Sequence, residues 1–132
     1  MYDLNISTLI GKTLTAATNA DDREIVFETN EGEVYALYHE QDCCEHVYVE
    51  DVCGDLEDLV GSPILMAAEV SGENDGPLSE YDESFTWTFY RLSTNKGSVT
   101  IRFYGSSNGY YSESVYFVCR QKIEVCNEEN DA

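Results

Sequence analysis

Residues 84–120 read SFTWTFYRLSTNKGSVTIRFYGSSNGYYSESVYFVCR, and their pattern decides the fold class. Phe85, Trp87 and Phe89 alternate with Thr86, Thr88 and Tyr90. Val99, Ile101 and Phe103 alternate with Thr100, Arg102 and Tyr104. Val115, Phe117 and Cys119 alternate with Tyr116, Val118 and Arg120. A period of two places each set on one face of a strand. Gly97 and the pair Asn108-Gly109 supply the conformations needed where the chain reverses. The stretch therefore reads as a three-stranded antiparallel meander. Phe85, Trp87 and Phe89 are expected on its apolar face, with Trp87 in the core.

Working outward, residues 12–18, 24–29 and 34–38 read as a second meander, with turns at 19–22 and 30–32. Residues 47–52 and 64–70 read as two further strands. Between them, residues 55–60 fit one helical turn, with Asp55 as its cap and Gly61 as its stop. Residues 3–10 fit a short helix or an extended arm, with Asp3 as a candidate cap. Residues 71–83 carry glycine, proline and acids and read as an exposed loop. Residues 122–125 are expected to form an edge strand or a tail contact, and 127–132 a polar tail. The expected architecture is a single β-rich domain over residues 1–126. It is mainly β, an antiparallel sandwich or strongly bent sheet of about seven to eight strands with one short helix.

The charge is one-sided. Twenty-six acids face seven lysines and arginines, a formal net charge of −19 in 132 residues. No lysine or arginine occurs between Arg23 and Arg91, while acids recur throughout. Such a surface repels phosphate backbones and anionic lipid, so direct nucleic-acid and membrane binding are not expected. It attracts cations and basic protein surfaces and speeds encounter with them. The start, Met1-Tyr2-Asp3-Leu4, has neither the basic nor the apolar region of a signal peptide. Five cysteines, an odd number that includes the adjacent Cys43 and Cys44, fit reduced thiols inside a cell.

Residues 39–58 hold the side chains for three chemistries. His39, Cys43, Cys44, Glu45, His46 and Cys53 hold enough ligand types for zinc but lack the paired C-x2-C turns of structural sites. A thiol nucleophile needs an electropositive setting, whereas Glu40, Asp42, Glu45 and Glu50 surround these cysteines. The acids around Gly54 match a calcium loop only loosely. No metal, cofactor or catalytic residue is therefore expected. An acidic contact surface made of Asp42, Glu45, Glu50, Asp51, Asp55, Glu57 and Asp58 is expected instead, facing water. Arg102, Tyr110 and Tyr111 form a second candidate, since exposed tyrosine gives rigid contact area.

Four segments also carry a resemblance: DCCEHVYVED at 42–51, GDLEDLVGSPI at 54–64, TWTFY at 86–90 and TIRFYGSSNGYYSESV at 100–115. Together they resemble a family of small bacteriophage proteins of unknown function marked by a Cys-Cys-Glu segment. The resemblance spans about residues 9–118 and transfers no catalytic residue. It implies a viral protein in the cytoplasm of an infected bacterial host. With the charge, it suggests an accessory protein that binds a basic surface of a host protein. That could extend to a nucleic-acid-binding defence factor, inhibited as by an acidic decoy. The alternative is a metal- or thiol-dependent small-ligand protein or enzyme built on Cys43-Cys44-Glu45.

Overall fold

The computed structural model describes residues 3–71 and 76–121. It contains eight strands: β1 (Leu14–Ala20), β2 (Glu24–Thr29), β3 (Val34–Tyr38), β4 (His46–Cys53), β5 (Met66–Ser71), β6 (Ser84–Thr94), β7 (Gly97–Ser107) and β8 (Tyr116–Gln121). Two short 3-10 turns accompany them, η1 (Ile6–Leu9) and η2 (Leu56–Leu59). The strands form two four-stranded antiparallel sheets, ordered β1-β2-β3-β8 and β4-β7-β6-β5. This is the sandwich anticipated from the alternating pattern.

The first meander, β1-β2-β3, is present as expected. The second is not a meander throughout. β6 and β7 form a long hairpin, but β8 crosses to the other sheet and pairs with β3, Leu37 opposite Phe117. The crossing places Phe117 between the sheets, where its ring stacks on Tyr35 at 5.3 Å and meets Phe27 edge-on at 6.3 Å. Ile25, Leu37, Val49, Tyr90, Leu92, Ile101 and Phe103 fill the rest of this layer, all nearly inaccessible to solvent.

The face assignment of β6 is reversed. Leu92 lies opposite Val99, and Tyr90 opposite Ile101. Side chains of opposed residues share a face, so Tyr90 and Leu92 point inward with Val99, Ile101 and Phe103. Phe85, Trp87 and Phe89 consequently line the outer face. Trp87 is still buried, at 2 % exposure, but beneath its own cover. The Arg102 guanidinium lies 4.9 Å above its ring, Tyr104 packs edge-on at 4.8 Å, and its indole N–H donates to the Gly76 carbonyl at 3.0 Å.

Both open sides of the sandwich are sealed. On one side, the Val49 N–H of edge strand β4 donates to Asp22 O in the β1–β2 turn, and the Gly61 N–H, just beyond η2, donates to Leu14 O. On the other, Leu4 N–H donates to Phe117 O, Asp3 accepts from Phe117 N–H, and η1 packs on β5 with Ile6 and Leu9 buried. Asp3 is thus a strand clamp, and Asn5 is the cap of η1. Asp55 caps η2 as expected, accepting from Glu57 N–H at 3.0 Å. The edge strand or tail contact expected at 122–125 and the polar tail expected at 127–132 lie outside the described residues.

The reversed faces give a direct test. Phe103→Ala should cost about 3–5 kcal/mol, as for a fully buried aromatic. Phe85→Ala, at a half-open outer position, should cost at most about 1 kcal/mol. Urea unfolding of the two variants measures both. Equal losses would contradict the placement of Phe85 outside.

Candidate functional site

The registers gather the irregular segments at one end of the sandwich. Glu24 pairs with Tyr38, Tyr38 with Tyr116, His46 with Ser106 and Ser84 with Ser107. The turn at 21–23 and the segments 39–45, 76–83 and 107–115 therefore share that end. The opposite end holds η2 and the 95–96 turn.

Two buried carboxylates organise the loop-bearing end. Glu45 is the first. Its side chain is fully buried and that of His39 is 3 % exposed. Glu45 Oε2 lies 2.7 Å from His39 Nε2 and accepts from Asp42 N–H at 2.8 Å, while Oε1 accepts from Cys43 N–H at 2.9 Å. The Gln41 side-chain amide donates to the Glu45 carbonyl at 2.7 Å. The other ring nitrogen of His39, Nδ1, lies 2.7 Å from the Ser114 carbonyl. Both imidazole nitrogens thus lie within hydrogen-bond reach of an oxygen acceptor. Burial alone would raise the pKa of Glu45. The Cys43 N–H, His39 and the Asp42 N–H outweigh it and hold the carboxyl at about 2.

Glu113 is the second. Thr86 Oγ1 and Ser107 Oγ each donate to its carboxylate at 2.6 Å. Its chain runs so close to β7 that a Cβ on Gly105 would stand 2.9 Å from Glu113 Cβ. Glycine is the residue that admits this approach. Ser114 follows Glu113 directly, so His39 ties the Glu45 loop to the Glu113 loop.

The expected acidic contact residues do not form one patch. Asp42 is exposed at the loop-bearing end, and Glu50 and Asp51 lie midway along edge strand β4. Asp55, Glu57 and Asp58 lie at the far end, after a strand of eight residues, roughly 25 Å long at the usual rise per residue. Glu45 does not face water at all. Glu50 pairs with Arg102 at 3.2 Å, and Asp55 is spent on its cap. A register shift between Val49 and Asp51 makes a bulge there, and bulges with charges are a common defence of an edge strand against pairing with another chain. Arg102 is engaged over Trp87 and Phe89. Tyr110 is 88 % exposed beside Gly109, and Tyr111 is half-buried.

Cys43 and Cys44 are joined as a vicinal disulfide, against the expectation of two reduced thiols. The Glu45 carboxylate, by bonding the N–H groups of residues 42 and 43, folds the chain into a tight bend at this point. The Cys53 thiol is pushed up by burial and by the Asp51 carboxylate 3.6 Å away, which disfavours the thiolate. Among the described residues, no group of three or more histidine, cysteine, aspartate or glutamate side chains converges as a metal site. Beside the His39–Glu45 pair is a cavity of about 510 Å³, also lined by Asp21, Asp22, Arg23, Gln41, His46 and Tyr48. Asp21 and Asp22 hold left-handed backbone there, at φ 56° and 58°, and the Asn19 carboxamide locks Asp22.

Sequence reading missed His39–Glu45 and Glu113 as structural clamps. The aromatic outer face was equally unexpected. There Tyr104 meets Trp87, Phe85 and Tyr48, and its hydroxyl donates to Asp82 at 2.5 Å and accepts from Leu78 N–H at 3.1 Å. Burial first, then the Asp82 carboxylate, pushes that phenol up to about 12. The signal available was the pairing of bulky residues in both alternating sets of β6.

Acid titration tests the clamp. The carboxyl of Glu45 has an ordinary value of 4.5 and stands near 2 when folded, so folding favours its ionised form. Its contribution is complete above pH 4.5 and is lost as the pH falls toward 2. Glu45→Gln should lower the urea midpoint at neutral pH and remove part of the acid limb of the stability profile. An acid limb unchanged in the variant would show that Glu45 is not the group responsible.

No curated protein and no solved structure matches the chain. A family model described as a domain of unknown function, DUF7448, matches residues 7–117, from the middle of η1 to Phe117 on β8. With both clamps and all but the last strand inside that span, the chain belongs to the DUF7448 family.

Proposed function

We propose that this protein is a phage-encoded acidic accessory protein that binds a basic surface of a host protein in the cytoplasm of the infected bacterium. Where that surface normally holds nucleic acid, as in a nucleic-acid-binding defence factor, the protein competes as an acidic decoy. The observation that carries the reading is the absence of any lysine or arginine between Arg23 and Arg91, in a chain of net charge −19. Those residues supply edge strand β4, η2 and two of the exposed segments of the loop-bearing end, so the uncompensated charge is mounted on a rigid β scaffold. Long-range attraction of this kind acts before contact and raises the association rate.

The alternative, a metal- or thiol-dependent site on Cys43-Cys44-Glu45, requires those groups to be available. Glu45 and His39 are consumed by each other and by backbone groups, and the two sulfurs by their mutual bond. No observation favours that chemistry over binding.

The test needs acids that have no structural task. Glu50, Asp51 and Asp55 are unsuitable, because the first neutralises Arg102, the second accepts from the Val52 N–H and the Cys53 thiol, and the third caps η2. Asp42 and Glu57 are exposed. A partner would be captured from infected cells, purified, and its association rate measured against salt. Asp42→Lys and Glu57→Lys combined should slow association and flatten its salt dependence, with dissociation changed less. A variant that folds and associates as fast as the wild type would reduce the acidity to a solubility device.

A further inference from the structure

The chain handles its own cations in a repeated way. Lys12 stands 5.9 Å from the Tyr35 ring centre and pairs with Glu33 at 3.0 Å. Arg102 lies over Trp87 and Phe89 and pairs with Glu50 at 3.2 Å. Arg120 lies 5.0 Å over Tyr38 and grips Glu24 with two nitrogens, at 2.9 and 3.1 Å. Three times, an aromatic face and a carboxylate hold one cation between them.

The same pair of elements recurs at the loop-bearing end. A cleft of about 300 Å³ is lined by Tyr81, Asp82, Glu83, Cys44 and residues 106–108, with no lysine or arginine among them. Phe85 pairs across the sheet with Ser106 on the cleft wall and is 38 % exposed, and Tyr81 is 82 % exposed. Leu78, also exposed, donates its N–H to Tyr104 Oη. Asp82 is oriented by the Tyr104 hydroxyl, and Glu83 is exposed. Large apolar groups standing in water beside fixed carboxylates are costly unless something covers them.

We propose that this cleft is the contact point for an arginine-bearing segment of the basic partner, with the guanidinium lying on Tyr81 or Phe85 and meeting Glu83 and Asp82. The proposal rests on the reading of the protein as a binder of basic surfaces and places the contact at this end rather than along β4 and η2. Charge complementarity selects a cation. The planar aromatic faces select guanidinium over ammonium, because arginine stacks on a ring and grips a carboxylate with two nitrogens while lysine acts as a compact point charge.

Two labelled peptides of equal charge and length, nona-arginine and nona-lysine, separate the claims. Both should bind the wild type, more weakly as salt rises, and nona-arginine should bind about two- to fivefold more tightly, as expected of exposed cation–π contacts. Tyr81→Ser with Phe85→Ser should abolish that preference while leaving nona-lysine binding unchanged. Amide shifts on adding nona-arginine should centre on residues 81–83 and 106–108. A preference that survives the double variant, or shifts centred on residues 50–58, would overturn the cleft while leaving an acidic binder in place. Failure of both peptides to bind, or binding indifferent to salt, would overturn the acidic-binder reading and the cleft with it. Glu83→Gln, which changes charge and not shape, serves as the control should the double variant fail to fold. It should weaken both peptides and reduce the arginine preference.

Discussion

The carboxylate of Glu45 is the interaction on which the loop-bearing end depends. It is buried, yet it sits in a chain whose acids otherwise repel one another. It persists as an anion because two backbone N–H groups and His39 surround it. Removing an ion from water is offset only when its lone pairs are met, and here they are. The consequence reaches past the loop. His39 passes the tie to the Ser114 carbonyl, and Glu113 beside it is held by Thr86 and Ser107. Two irregular segments, each joining one sheet to the other, are thereby locked into one surface.

This arrangement separates three uses of acidity. Glu45, Glu113, Asp55 and Asp3 satisfy donors that the fold would otherwise bury or leave open. Glu24, Glu33 and Glu50 neutralise the chain's own bases over aromatic rings. Asp42, Glu57 and Glu83 are left facing water and contribute to the protein's external field. The last group can act on a partner without disturbing the fold. In a sandwich whose edge strand β4 carries a bulge and charges, that field also discourages pairing of one copy with another.

Much of the fold was legible in the sequence, and the limits have physical causes. The boundaries of β2 and β3 follow directly from alternation between two turn signals. The cap of η2 follows from Asp55 before an apolar pair. The faces of β6 did not follow, because both alternating sets are bulky and hydrophobicity alone chooses the wrong one. A two-residue turn at Asn95-Lys96 would have decided it, since it sets Leu92 opposite Val99. The departure of β8 to the other sheet leaves no local mark, because a strand with Phe117 inward suits either neighbour. Glu45 reads as one more acid in an acid run, and its burial depends on a histidine six residues back and a carbonyl on Ser114. Such a site is set by tertiary geometry, which no spacing encodes.

The most direct measurement is amide hydrogen exchange on the wild type and on Glu45→Gln at neutral pH. If the carboxylate is the clamp of the loop-bearing end, the variant should lose protection at residues 42–45 and 113–116, while β2, β6 and β7 keep theirs. Protection unchanged at those segments, or lost evenly across both sheets, would contradict the claim that Glu45 holds this end in place on an otherwise independent sandwich.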